Sequence, residues 1–494
     1  MQISCSGIFF AACGDAICLA RLDKEENRSS SKDKGEKRML EKFFALSERN
    51  TDVKTEVVAG ITTFMTMAYI LFVNPSILSA AGMDKNAVLL ATSLGAGIVT
   101  IMMGLFVNYP ICLAPGMGLN AFYAFTVVIG MGVTWQVALG AVFISGIIFI
   151  LLTVTHIRQL LVEGMPASLK YAITVGIGLF ITIIGLKLSG LMSIRLSLIP
   201  PTLEKIAANH GNGTPLSFET IIEMGKLADK DVLLTVFGIV LMVVLMARQV
   251  KGAMLIGILV TTIVGITCGV VKVPANFSPI AMPDFSHNAF GALDIAGALN
   301  MGLMTIIFTF TFVELFDTMG TLVGTATKAG LIDKQGNFPG IGKAMMVDAA
   351  GVSLGSLLGT STITAFVESA AGVGAGGRTG LTAIVCGILF IFSLFLSPLA
   401  SLIPDAATAP ALIIVGALMM EGIVKIDFTD FTESLPAFFT IVLMPLTYSI
   451  ANGISVGLVF YPLLKLVTGR GREVHPIVYI LAVLVIARFI FLNE

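Results

Sequence analysis

Charge is what this chain has least of. Only 12% of its 494 residues are Asp, Glu, Lys or Arg, against about 25% in a soluble domain. So few charges cannot clothe a water-facing surface. The net charge of −1 leaves no basic excess for nucleic acid. The six cysteines contain no CxxC pair, and the four histidines stand apart with no HExxH. These absences exclude a disulfide-stapled module, a zinc site and a zinc peptidase, and no cofactor or catalytic constellation is visible. What is present is apolar: 56% hydrophobic residues, mean hydropathy +0.94 and 51 glycines. That composition belongs to an all-α polytopic membrane protein, in which glycine lets helices approach closely.

Residues 1–54 differ from the rest and are read as a cytoplasmic N-terminal segment. The run RLDKEENRSSSKDKGEKRMLEK is a mixed-charge stretch of disordered type. Residues 1–20 lack the basic start of a signal peptide, and translation beginning at Met39 is the preferred reading of 1–38. From residue 55 onward, apolar segments of membrane length follow one another. They lie near 56–78, 88–107, 111–130, 135–155, 168–188, 232–247 and 252–271. A second set lies near 299–322, 344–359, 362–377, 380–398, 409–424, 432–447 and 449–468. The long loop 189–231 is placed outside, and a further apolar stretch, 475–492, follows the last span.

Basic residues support this layout. With residue 55 inside, the inner loops hold Arg158, Arg248, Lys251, Lys328, Lys334, Lys343, Arg378, Lys425, Lys465, Arg470 and Arg472. The short outer loops hold only Lys85 and Lys272, as the positive-inside rule requires. Seven spans followed by seven invert the second half relative to the first, a hallmark of secondary transporters.

Carboxylates are distributed unevenly. The first-half spans carry only Glu56, at a boundary, whereas the second half carries Glu314, Asp317, Asp348 and Glu368. A charge at mid-bilayer costs roughly 2.5–3.5 kcal/mol, so an acid kept there faces a partner or a wet cavity. Glu314 and Asp317 share one helix face through their i, i+3 spacing. Asp317 reads equally as a ligand-side acid and as a fixer of backbone in an interrupted span. Asp348 reads as structural, near the end of its span. Glu368 sits in TSTITAFVESAAGVGAGGRTGL, a poor continuous helix. It reads as a short extended piece followed by a half-helix. The formal GxGxxG match at Gly372–Gly377 has no βαβ context and is discounted. In the first half ICLAPGMGLNAFYAF is broken by Pro115, Gly116 and Gly118. Asn120 beyond the break suits a planar heterocycle or a helix cap. Phe122 and Phe366 flank the breaks, placed to stack on a flat ligand or to pack against lipid and protein.

Four stretches together resemble a known family: AGITTFMTMAYILFVNP (59–75), APGMGLNAFYAF (114–125), ELFDTMGTLVG (314–324) and VESAAGVGAGGRTGLTA (367–383). They are similar to the purine branch of the nucleobase–cation symporter-2 family, the xanthine/uracil permeases, and most of all to bacterial guanine/hypoxanthine permeases. The resemblance runs from about residue 50 to 468. It implies fourteen spans in two inverted repeats, with a core domain (spans 1–4 and 8–11) and a gate domain (spans 5–7 and 12–14). It implies short strands in spans 3 and 10 and a base bound between them and span 8. Carried over by motif, the substrate-binding residues are Glu314, Glu368, Asn120, Phe366, Phe122 and Gly118, with proton coupling at Glu314 and Asp317. Relatives often have Asp where this chain has Glu314, which bears on base preference.

The expected function is import of hypoxanthine and guanine, and of adenine as a further candidate, by cation symport with alternating access. The cation is the proton, with sodium as the alternative. The expected setting is a homodimer in the plasma (inner) membrane with its N-terminus in the cytoplasm. A carboxylate accepts two N–H bonds from a purine edge, and desolvation favours the protonated form of an acid, so such a group can also carry a proton. The rivals are an anion transporter of the same fold, a channel and a membrane-embedded enzyme. Two acids at the site argue against the first, and no metal triad or nucleophile–base pair supports the last.

Overall fold

The computed structural model describes residues 41, 43–155, 164–198, 218–274, 277–285, 288–300, 304–329 and 340–491. The expectations for 1–38 lie outside the described residues. Each apolar segment marked above contains at least one helix among the described residues.

Span 1 is two helices, α1 (Val53–Met67) and α2 (Ile70–Ser79), interrupted at Ala68 and Tyr69. Asp52 caps α1 by accepting from the Thr55 N–H, and Pro75 lies inside α2. Span 2 is α3 (Lys85–Met102), which continues as a π-turn to Val107. Span 3 is not a plain helix. It enters as β1 (Leu113–Pro115), turns into α4 (Met117–Ala121) and ends as a π-helix to Gly130. Spans 4 and 5 are α5 (Trp135–Val154) and α6 (Ala167–Leu188). The long loop carries an antiparallel hairpin, β2 (Met192–Leu198) with β3 (Phe218–Met224), its register running from Met192↔Met224 to Leu198↔Phe218. Sequence reading treats this segment only as a charged loop. Spans 6 and 7 are α7 (Lys230–Ala247) and α8 (Ala253–Thr267).

The second half follows the same plan. A short α9 (Ile295–Asn300) leads to span 8, α10 (Met304–Ala329), and to span 9, α11 (Ile341–Leu358). Span 10 repeats the strand-then-helix form, with β4 (Ile363–Ala365) and α12 (Ser369–Gly374). Span 11 is α13 (Gly380–Phe392) with a 3₁₀ turn and the short α14 (Ser397–Ser401). Spans 12 to 14 are α15 (Asp405–Met419), α16 (Phe431–Leu446) and α17 (Ile450–Val467). The stretch 475–492 is a further helix, α18 (Pro476–Phe491), packed on α17. Nine helices among the described residues are long and apolar enough to cross a bilayer. At about 1.5 Å per residue α16 is only about 24 Å long, short of an apolar layer of about 30 Å. It turns into α17 at Tyr448, whose φ of 53° is left-handed.

Glycine explains the close helix crossings. A Cβ on Gly387 of α13 would sit 2.7 Å from the Gly97 carbonyl oxygen of α3, and one on Gly97 would sit 2.9 Å from that of Gly387. Seven residues along, Gly104 and Gly380 meet in the same mutual way. Two backbones therefore touch over two turns, close packing that holds helices together where water contributes no driving force.

Glu56 is a staple rather than a boundary residue. It is fully buried, and its carboxylate accepts from the Arg378 N–H (2.8 Å), the Thr382 N–H (3.2 Å) and the Thr382 hydroxyl (2.6 Å). Asn108 adds an acceptor for the Gly380 N–H at 2.7 Å. Together they satisfy free N–H groups at the start of α13 and complement its positive end. Glu56→Gln turns an NH₂ group toward these donors. The expected loss is about 2 kcal/mol, read as a fall of several degrees in the thermal midpoint of the purified protein. An unchanged midpoint would contradict the staple.

Beyond the last spans, Arg470 bonds Asp430 at 2.6 Å and Glu473 at 2.8 Å. The Arg470 and Lys465 side chains bonded to Glu473 push its carboxyl down to about 2. These contacts tie the start of α16 to the turn that precedes α18.

Candidate functional site

The two broken spans meet strand to strand. β1 pairs antiparallel with β4, with Leu113 opposite Ala365, Ala114 opposite Thr364 and Pro115 opposite Ile363. Such short strands inside a membrane domain need every polar backbone group matched. The pairing continues at both ends, from the Gly116 N–H to the Thr362 carbonyl and from the Phe366 N–H to the Cys112 carbonyl, both at 3.0 Å. Thr100 of α3 serves both backbone groups of Leu113, each at 2.9 Å. Ser369 accepts from the Cys112 N–H at 3.0 Å, and Asp348 accepts from the Ala365 N–H at 3.1 Å.

Around this ribbon the structure assembles most of the residues singled out above. Glu368 occupies the N-cap position of α12. Its Oε1 accepts a 2.6 Å hydrogen bond from the hydroxyl of Tyr69, at the break in span 1. Phe366 is buried at the end of β4. On the other side of the ribbon Asn120 is buried in α4, donating from Nδ2 to Asn74 Oδ1 at 2.6 Å. Phe122 packs edge-on against Phe310 of α10, with ring centroids 5.0 Å apart. One turn further along α10 lies Glu314, only 1% exposed.

Glu314 reaches the ribbon through Thr318. The Thr318 hydroxyl lies 3.3 Å from Glu314 Oε1, 2.8 Å from Asp348 Oδ2 and 2.9 Å from the Thr364 hydroxyl. One hydroxyl has one proton. The 2.8 Å contact makes Asp348 the better acceptor, so Glu314 has the weaker hold on it. Asp348 is thus not at the margin of its span. It lies behind β4 and joins α10 to the strand.

Gly118 stands apart from this cluster. Gly118 is a packing residue, since a Cβ there would meet Ile177 of α6 at 2.5 Å. The side chain of Asp317 lies outside the described residues. Tyr69, Asn74, Thr318 and Asp348 escape the reading of the sequence as site residues. The first two lie in the quoted stretch AYILFVNP, where two polar groups in an apolar run are the only signal.

The arrangement is a mid-membrane polar site at a pair of strands and half-helices, with acids from two different spans. Such broken spans are where transporters of inverted-repeat design build their ligand sites. The arrangement is that of an integral membrane transporter. The chain belongs to the permease family of xanthine/uracil permeases, whose pattern residues 54–197 and 187–456 match. A putative permease of Methanocaldococcus jannaschii is 48% identical over 92% of this chain and 99% of its own length. The adenine permease AdeP of Escherichia coli is 45% identical over 92% of this chain and 97% of its own. The guanine/hypoxanthine permease PbuG of Bacillus subtilis is 43% identical over 92% of this chain and all of its own. Among solved structures, the transmembrane domain of the cyanobacterial bicarbonate transporter BicA is similar with a TM-score of 0.56. It is 16% identical, over 81% of this chain and 97% of that one. SLC26A9 is similar with a TM-score of 0.59, at 12% identity over 91% of this chain and 71% of that one. These two show the shared fold of seven plus seven spans and nothing of the cargo.

Proposed function

We propose that the protein imports purine nucleobases, hypoxanthine and guanine first, across the plasma membrane by proton symport. The observation that carries this reading is the pair of acids at the β1–β4 ribbon: Glu368 at the start of α12, and Glu314 of α10, which reaches the ribbon through Thr318. A purine edge offers N–H donors in a plane, and a carboxylate is the side chain that accepts them. Both the adenine and the guanine/hypoxanthine permeases among the relatives support a purine guest. The site residues are Glu314, Glu368, Asn120, Phe122 and Phe366, and Gly118 contributes through its fit against span 5.

Transport proceeds by movement of the core against the gate in a homodimer, with the N-terminus in the cytoplasm. Thr126 of the span-3 π-helix donates to the Tyr448 carbonyl at 2.6 Å, and the Lys187 ammonium lies 5.4 Å from the Tyr448 ring. In this scheme the Thr126–Tyr448 contact, from core to gate, breaks and reforms in each cycle. Competition against radiolabelled hypoxanthine uptake by a panel of bases tests the cargo. Hypoxanthine and guanine should compete, and bicarbonate or sulfate should not. Competition by the anions alone would replace this reading with the anion-transport one.

Coupling has its own test. Collapsing the pH gradient in energised vesicles should cut hypoxanthine accumulation at least fivefold, while collapsing a sodium gradient leaves it unchanged. The reverse pattern assigns the coupling to sodium.

A further inference from the structure

The chain of hydrogen bonds that leads to Asn120 through Asn74, Thr92 and Thr360 carries directional information. Thr92 of α3 donates its hydroxyl proton to the Val88 carbonyl at 2.6 Å. That proton is spent, so toward any other neighbour Thr92 Oγ1 acts as an acceptor. Its neighbour is Asn74, whose Nδ2 lies 2.7 Å from Thr92 Oγ1 and 2.9 Å from Thr360 Oγ1. The end of Asn74 between the two threonines is therefore its NH₂ group. Its Oδ1 lies at the other end and accepts from Asn120 Nδ2 at 2.6 Å. Asn74, Thr92, Thr360 and Asn120 are all fully buried. A reversed Asn74 amide would set lone pair against lone pair at Thr92.

Asn120 is left with one Nδ2 hydrogen and with its Oδ1. Its Oδ1 is buried and has no hydrogen-bond partner among the described residues. Buried carbonyl oxygens are nearly always matched, so this one is an acceptor held for a guest. Beyond the neighbouring strand, at the N-cap of α12, Glu368 Oε1 accepts from the Tyr69 hydroxyl.

We propose that Asn74, anchored by Thr92 and Thr360, is a positioning residue that sets the polarity of Asn120, so that its Oδ1 is turned to the guest as an acceptor and the site favours purines whose ring N1 carries hydrogen. Those are the 6-oxopurines, such as hypoxanthine and guanine. Adenine presents a lone pair at N1 and meets an oxygen there. The inference rests on the reading of Asn120 as a base ligand.

The test is the ratio of inhibition constants for adenine and hypoxanthine against labelled hypoxanthine uptake by the full chain in proteoliposomes. The unaltered protein should favour hypoxanthine by about tenfold or more, a mismatched buried acceptor being the cause. Thr92→Val removes the anchor, lets both amides rotate and should bring the ratio to within about threefold. Asn74→Leu should do the same, and Thr92→Ser should keep the original ratio. A purely structural role would lower the amount of inserted protein or the maximal rate and leave the ratio unchanged. An unchanged ratio in inserted Thr92→Val overturns the proposal, as does a preference for adenine in the unaltered protein. Asn120→Ala separates the two levels of the argument. If that variant keeps both affinities, Asn120 is not a ligand, and the reading of the site fails together with this inference.

Discussion

Glu368→Gln should abolish hypoxanthine uptake, by at least about a hundredfold, while the protein inserts and folds as before. The expectation follows from hydrogen-bond polarity. Tyr69 donates to Glu368 Oε1 at 2.6 Å, and a glutamine carbonyl at the same place accepts that bond equally well. The second oxygen then becomes an NH₂ group. Where the site accepts from the guest, it now presents a donor to a donor. Sites built to hydrogen-bond a polar group reject a mismatched partner by about 10⁴–10⁵ in favourable cases, so a hundredfold loss is the modest end of the range. Size and shape hardly change, and the ribbon keeps its own bonds because none of them uses this side chain. Uptake normalised to the amount of membrane-inserted protein is the readout, and full uptake in an inserted variant would remove Glu368 from the site.

Glu314→Gln should separate movement from accumulation. The variant should exchange hypoxanthine across the membrane in counterflow and fail to concentrate it above an inside-to-outside ratio of about one. Glu314 is buried on α10, and the Thr318 hydroxyl lies nearer to Asp348, at 2.8 Å, than to Glu314, at 3.3 Å. An acid in that setting can take up and release a proton as its access to water changes, and glutamine cannot. The cycle then runs without the proton and transfers no work from its gradient. Steady-state accumulation in energised vesicles, measured beside counterflow, decides the matter. Accumulation at the unaltered level would place coupling on another group.

The architecture was readable in advance because membrane burial writes itself into composition. Apolar runs marked where the helices of the described residues lie, and Pro115 with Gly116 and the β-branched run Ser361–Phe366 marked two places where a helix does not continue. Glu314 and Glu368 stood out because an acid in oil is costly. What stayed hidden was partnership. Tyr69 and Glu368 are 299 residues apart and Asn74 and Thr360 are 286 apart. Spacing along one helix reveals a face but not which face it meets. For the same reason Asp348 passed as marginal and Glu56 as a boundary residue, although each anchors backbone of a distant span. The hairpin β2–β3 was missed for another cause. Its alternating pattern is short, and its mixed charges resemble those of an ordinary loop.

The whole account depends on a purine lying against the ribbon of β1 and β4, facing α10. Photolabelling the full chain in membranes with radiolabelled 8-azidohypoxanthine, followed by peptide mapping, locates the guest directly. The label should fall on peptides containing 113–125, 310–318 or 363–369, and excess hypoxanthine should protect them. Protected label found only on other spans would contradict the account.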